Sequence, residues 1–407
     1  MLSAGGEQGP AGAGGLQPSR QGYSSFYEQG KSRAEIGGLQ PCVMAYSPFR
    51  ERGRAELRPA GCGLRLCALA YLPFRERGKS RTRKEEDGVI MERVLVLLST
   101  YNGERYLREQ LASLFSQELP EGTELRILVR DDGSSDGTTA ILREYEEEGR
   151  LSFYRGERNL GPAGSFLSLM KRAEHYEWGE ERAEARTYYA LCDQDDVWLP
   201  DKLSRALSLL LGTGKEEAAL YYGLPRLVDA ELRPLPLRRD ARERMLDFAS
   251  ALIKSNSTGC TMLFTRALLL KINRSEPDTE KITMHDEWIH KGCLAIGGRL
   301  IFDEDTPILY RQHGNNAVGC QSSERAVLKR YLHSLLHPDR IHSEMAGELL
   351  RAFSRDMSPL KRELSEEAAF YRRSLGAALR LLFDRRIRTA YRKRNFLFRL
   401  AVLLRIF

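Results

Sequence analysis

No apolar run in the 407-residue chain approaches the ~20 residues that a membrane-spanning helix needs. The longest candidate near the start, around Leu64–Leu72, is short and carries Arg65, so neither a spanning helix nor a signal peptide is expected. The seven cysteines form no CxxC pair and no Cys/His metal spacing, which predicts free thiols in a reducing compartment. Residues 1–90 lack any sustained helical or strand period. They hold 15 of the 35 glycines and repeat one phrase, at Tyr23–Arg33, Tyr46–Arg54 and Tyr71–Arg81. The repeat units carry too few aliphatic residues for a solenoid core, so a disordered leader is expected. Translated upstream repeats, with the natural start at Met91, are the other reading.

Acidic residues are scarce at the two ends. Residues 1–90 hold 14 Lys/Arg against 9 Asp/Glu, and residues 380–407 hold 9 Lys/Arg against Asp384 alone. The whole chain is only +7, so the stretch between is net acidic. A nucleic-acid binder would carry its basic surface on the folded body, and none is expected here.

From Met91 the texture changes. Val94–Ser99 is a continuous apolar run, as in a parallel strand buried on both faces. Glu104–Gln117 places Leu107, Leu111, Leu114 and Phe115 at helical spacing. Further strands are predicted at Leu125–Val129, Leu151–Tyr154 and Thr187–Cys192. Helices are predicted at Ser135–Glu148, ended by Gly149, and around Phe166, Leu167, Met170 and Ala173. This alternation predicts an α/β domain with a mostly parallel, Rossmann-like sheet and ligands at the strands' carboxyl ends.

The polar motifs fall at those ends. Ser99–Gly103 (STYNG) follows the first strand and offers Tyr101 as a platform for a flat base, although Asn-Gly is also an ordinary turn. Asp131–Thr138 (DDGSSDGT) follows the second, where Ser135 or Asp136 can cap the next helix. After the fourth strand comes Asp193–Asp201 (DQDDVWLPD). Three carboxylates in four residues repel one another unless a cation or solvent relieves them, and hard divalent ions prefer such oxygens.

Taken together, LLSTYNGERYLREQL, VRDDGSSDGT, NLGPAGSF and CDQDDVWLPDKL resemble the family-2 glycosyltransferases, from about Val94 to about Asn316. The CDQDDVW and YRQHGNN forms look like the bacterial rhamnosyltransferase branch. The resemblance implies a GT-A nucleotide-sugar fold over residues 91–320, followed by a helical basic extension over 321–407. It implies a nucleotide-diphosphate sugar donor, a divalent cofactor (Mn2+ or Mg2+), and a glycan or lipid-linked acceptor in cell-surface polysaccharide synthesis. Tyr101 and Asp132 would meet the base and Asp193 the ribose. Asp195 is the first choice as metal ligand and Asp196 the second.

In the same resemblance, Asp286 of Met284–Trp288 (MHDEW) matches the general base, with Glu287 the neighbouring alternative and a helix cap the plain one. An inverting transfer needs one carboxylate to take the acceptor's proton, while a metal handles the leaving group. His313 of Tyr310–Asn316 would reach the metal or the diphosphate, and Arg311 would help neutralise the diphosphate. The alternative for His313 is a simple surface or core residue. Ser257–Thr261 (STGCT) lies where it would line the acceptor side. Arg380–Phe407 mixes arginines with large apolar residues, which suits peripheral attachment to the inner face of a cytoplasmic membrane, or a helix packed on the domain. Two rivals stand: a sugar nucleotidyltransferase, against which STYNGERY lacks a Gly-rich basic loop, and a non-catalytic nucleotide or nucleic-acid binder.

Overall fold

The structure is a computed structural model describing residues 91–179, 185–236, 247–254, 257–313 and 341–407. The expectations for residues 1–90, and for Gly314, Asn315 and Asn316, lie outside these.

β1 (Glu92–Thr100) is buried on both faces, as its unbroken apolar run requires. Val94, Val96 and Leu98 join one core and Leu95 and Leu97 the other, by the two-residue period of a strand. It is followed by α1 (Glu104–Phe115), β2 (Thr123–Asp131), α2 (Thr138–Glu147), β3 (Ser152–Arg155), α3 (Gly161–Ala173) and β4 (Arg186–Cys192). Gly149, at φ +70°, lets the chain leave the turn after α2. The remaining elements up to residue 313 are β5 (Val197–Trp198), α4 (Lys202–Leu210), β6 (Ala219–Gly223), β7 (Arg226–Val228), α5 (Phe248–Ile253), β8 (Leu263–Thr265), α6 (Arg266–Ser275), α7 (His285–Ala295), β9 (Arg299–Asp303) and β10 (Ile308–Arg311).

Seven strands form the central sheet in the order β3-β2-β1-β4-β8-β6-β9. All neighbours pair in parallel except β8, which runs antiparallel to both β4 and β6. This is the mostly parallel sheet between helices that the alternation of strands and helices predicts. Its register sets Thr100 opposite Asp131, and Leu98 opposite Cys192. The three acidic or polar motifs therefore emerge side by side at one edge.

A second sheet, β5-β10-β7, stands outside the expected pattern. Strands of two to four residues are too short to show a period. It matters because β10 carries Arg311 back to the acid-rich loop after β4.

Beyond residue 340 the chain is helical: α8 (Ile341–Phe353), α9 (Pro359–Phe370), α10 (Leu375–Phe383) and α11 (Arg392–Leu403). The boundary expected at 320/321 is not a boundary of the core. Met345, Leu349, Phe353, Leu364, Tyr371, Leu381, Phe398 and Phe407 share one buried cluster with Leu95, Phe166 and Trp288. The Trp288 and Phe353 rings lie 5.5 Å apart, and the Tyr371 hydroxyl donates to the carbonyl of Phe407 at 3.2 Å. Among the described residues, no helix is long and apolar enough to cross a membrane.

Candidate active site

The loops after β1 and β2 are fastened to each other by side-chain to backbone bonds. Asn102 donates its N–H to Ser134 Oγ (2.9 Å) and accepts from the Ser135 N–H (2.8 Å). The Gly103 N–H reaches Thr138 Oγ1 at 2.8 Å. Asp136 accepts from the N–H groups of Thr138 (3.0 Å) and Glu104 (3.1 Å), joining the first turns of α2 and α1, while Glu104 accepts from the Gly137 N–H at 2.8 Å. Helix starts leave such N–H groups without intrahelical partners, and these acids satisfy them. Asn102 sits at φ +50°, a conformation asparagine tolerates. Tyr101 projects beside it, half exposed.

The loop after β4 is tied to the same place. The Gln194 side chain accepts from the Tyr101 N–H (2.8 Å) and donates to the Tyr101 carbonyl (3.0 Å). A Cβ at position 103 would stand 2.2 Å from Gln194 Oε1, so the glycine makes room for this clamp.

Asp131 and Asp132 are both buried. Asp131 accepts from the Ser134 N–H at 3.1 Å and from the Ser134 hydroxyl. Asp132 accepts from Arg130 at 2.8 Å and from the Leu160 N–H at 2.9 and 3.0 Å. Burial raises the Asp132 carboxyl above its usual range, against the Leu160 amide and Arg130. A base could use only the lone pairs that these partners leave, a narrower role than the one expected.

The acids after β4 repel one another at close range. Carboxylate oxygens of Asp193 and Asp196 and the Cys260 sulfur lie within 4.8 Å of one another. Burial, then the Asp195 and Asp286 charges, pushes Asp193 up to about 7. Asp196 is raised further, by burial and then by Asp193 and Asp195. Its Oδ1 accepts the Arg311 N–H at 3.1 Å, while Oδ2 is buried with no hydrogen-bond partner. Buried carboxylate oxygens are rarely left so, and a cation would relieve both the repulsion and the orphaned atom. The oxygens suit a hard divalent ion. Burial holds the Cys260 thiol well above its ordinary value. Lys202 supplies a cation nearby, with its Nζ 3.3 Å from the Trp198 ring centre. Burial pulls it down to about 8, against the acids and thiols around it.

His313 Nε2 lies 2.8 Å from Asp195 Oδ2, and its ring stacks on Tyr106 at 4.9 Å. His313 therefore belongs to the acidic cluster. Arg311, expected at the diphosphate, is placed differently. Its guanidinium is buried against the Tyr106 ring and donates to the carbonyls of Asp195 (2.8 Å) and Ala230 and to the Glu109 carboxylate. With those partners it braces the acidic loop from behind.

Asp286 occupies the first turn of α7, two residues past the N-cap position at Met284. Its Oδ2 accepts the Gly259 N–H at 3.1 Å and its Oδ1 the Glu287 N–H at 2.7 Å. The STGCT stretch thus positions Asp286. Burial pushes this carboxyl up to about 7. Glu287 is held below its ordinary value by Lys291, whose Nζ is 2.7 Å from its Oε1. Gln194, Gly103, Lys202 and Glu109 were not singled out from the sequence. Gln194 and Lys202 stand inside a motif already noticed, but their contacts depend on segments distant in the chain.

Residues 95–271 match the family described as Glycosyl transferase family 2. The dTDP-rhamnosyl transferase RfbG of Shigella flexneri is 26% identical over 246 residues, covering 57% of this chain and 77% of that one. The chain contains a family-2 glycosyltransferase domain. An uncharacterized glycosyltransferase of Rickettsia typhi, RT0329, is 23% identical over 256 residues, 61% of the glycosyltransferase and 74% of the relative. Among solved structures, S. aureus TarS 1-349 in complex with UDP-GlcNAc aligns at 19% identity, covering 71% of this enzyme and 76% of that chain, with a TM-score of 0.44. Mannosyltransferase PcManGT from Pyrobaculum calidifontis, in complex with GDP-Man and Mn2+, aligns at 19% identity, 76% and 85% coverage and a TM-score of 0.40. Scores at that level add nothing to the topology described above.

Proposed function

We propose that this glycosyltransferase inverts configuration, moving a sugar from a nucleotide-diphosphate donor to a hydroxyl of a glycan or lipid-linked acceptor in cell-surface polysaccharide synthesis. Asp286 is the base. The likeness to the Shigella relative supports rhamnose as the sugar.

One observation carries the assignment of the base. Among the described residues, Asp286 is the acid on α7 whose carboxylate is not paired with a cation, and its charge is felt by Asp193 in the acidic cluster. Glu287, its neighbour, is held by Lys291. The Gly259 N–H fixes one Asp286 oxygen, leaving lone pairs to receive a proton. The acceptor oxygen bonds to the anomeric carbon as its proton passes to Asp286. The bond from that carbon to the diphosphate oxygen breaks on the opposite face, and the electron pair leaves with the nucleotide diphosphate.

A divalent cation, Mn2+ or Mg2+, would be held by Asp195 and Asp196, with Asp193 and His313 beside them, and would supply positive charge to the leaving diphosphate. Tyr101 offers its exposed ring to the base, and Asp193 its carboxylate to the ribose. Arg311 acts on the donor indirectly, by holding Asp195 and Asp196 in place.

Asp286→Asn is the test. Asparagine keeps an acceptor for one of the Gly259 and Glu287 N–H groups and cannot take a proton. Transfer should fall by roughly 10²–10⁴-fold while donor and metal binding, read by calorimetry, stay nearly intact. Near-normal transfer, or donor affinity falling in step with activity, would remove Asp286 from this role. The product's anomeric configuration, read by NMR, tests inversion separately.

A further inference from the structure

The last two helices leave an apolar face uncovered. On α10, Leu375, Leu379 and Phe383 are spaced i, i+4, i+8 and are 74%, 49% and 70% exposed, while Leu381 and Leu382 face the core. On α11, which packs against α10, Phe396 and Leu403 are 64% and 61% exposed, opposite the buried Phe398 and Val402. Scattered exposed apolar residues are ordinary, but large ones aligned along two neighbouring helices mark an interaction surface.

On α10 and α11 themselves the exposed charge has one sign, while Glu363 and Glu367 of the neighbouring α9 meet Arg386. Arg380, Arg385, Arg388, Arg392, Lys393 and Arg399 are exposed and have no acidic partner among the described residues. The one acid between residues 371 and 407, Asp384, is held by Arg386 at 2.7 Å. A partner must therefore be both apolar and anionic. A second copy of this chain docking the same face would oppose cation to cation. Nucleic acid would leave the leucines and phenylalanines without use. At nine and twelve residues the helices are too short to span a bilayer, so they would lie in its interface plane.

We propose that α10 and α11 seat the protein on the surface of an anionic phospholipid membrane. Leu375, Leu379, Phe383, Phe396 and Leu403 enter the headgroup boundary, and the arginines and Lys393 meet lipid phosphates. The same helices bury Leu381, Leu382, Phe398 and Val402 in the enzyme's core, so the attachment is built into the fold. It does not depend on which sugar or acceptor is used, and vesicle binding is read without any transfer reaction.

The experiment is co-sedimentation of the full chain with phosphatidylcholine vesicles, with and without phosphatidylglycerol, at low and high salt. One variant combines Leu379→Gln with Phe383→Gln, and another combines Arg392→Gln with Lys393→Gln. These side chains are exposed, so melting temperatures should match the parent. Binding should require phosphatidylglycerol, weaken with salt, and drop roughly tenfold or more in each variant. Equal binding to both vesicle types, no binding to either, or unchanged binding by the Leu379/Phe383 variant would overturn the proposal. So would a dimer in the parent that this variant converts to monomer, since the face would then be an interface between copies.

Discussion

Asp286 and Glu287 are adjacent carboxylates with opposite environments, and the difference is a matter of partners. Lys291 neutralises Glu287, whereas burial raises Asp286 to about 7 with no cation paired to it among the described residues. A raised carboxyl is a base only above its own value. kcat/KM, which reports the groups of the free enzyme, should therefore fall about tenfold per pH unit below about 7 and level off above it. A pH–rate profile flat down to pH 5 would rule out Asp286 as the titrating base. The same shift has a stability consequence. Because the folded-state value lies above the unfolded one, its stabilising contribution is present at low pH and lost as pH rises through about 7. Asp286→Asn removes that pH-dependent loss but gives up one of the two backbone bonds, so its melting temperature relative to the parent's should be higher at pH 8 than at pH 5. Calorimetric scans at the two pH values check this and separate a catalytic defect from misfolding.

Elements in this enzyme work in pairs that side chains hold together. The Gln194 amide joins the loop after β4 to Tyr101 after β1 by two hydrogen bonds. Partly exposed bonds of this kind are worth about 1 kcal/mol each, so Gln194→Ala should raise the donor KM by roughly five- to thirtyfold. Because the clamp positions the donor and not the acceptor's proton, kcat should change little. Steady-state kinetics with the donor varied would show the split, and a pure kcat loss would contradict it. A second pairing joins α7, which carries Asp286, to α8. The Phe353 ring fills the space beside Gly292 and Trp288 and is buried. Phe353→Ala should cost about 3–5 kcal/mol of unfolding free energy, the usual range for emptying such a site. Denaturant melts measure that cost. An exposed position such as Leu375 should show no comparable loss when changed.

At the scale of the whole molecule, the C-terminal helices complete the catalytic core. Deleting residues 380–407 removes Leu381, Leu382, Ile387, Phe398, Val402 and Phe407 from a shared buried cluster. Such a deletion would conflate unfolding with loss of any membrane contact, and for that reason single exposed side chains are the better probes. The amino-terminal end is expected to behave differently. Protein begun at Met91 should stay soluble and bind donor like the full chain, because its first strand starts at Glu92 and the preceding stretch has no apolar period. Loss of solubility and of donor affinity on calorimetry would show that residues 1–90 contribute to the fold.

The order of strands and helices from β1 to β4 was determined by the sequence itself. Val94–Ser99 is apolar without interruption, and α1 repeats its leucines at helical spacing. Local periods of that length leave one economical folding solution. The identity of the acidic motifs was legible for the same reason, since each directly follows a strand and must lie at the sheet's ligand edge. Other features were decided only by tertiary structure. β8 runs antiparallel because of where the chain returns, which three residues cannot announce. Arg311 braces the acidic loop because Glu109, Ala230 and Asp195 converge on it from distant segments. The resemblance preferred Asp286 to Glu287, but the residue types alone give no physical ground for it. Their environments separate through Lys291, one helical turn on, and through Gly259, 27 residues away in sequence and 3.1 Å away in space. A sequence records which groups are present. Folding sets which of them are desolvated and which charges they face, and those two quantities decide the chemistry of a carboxylate.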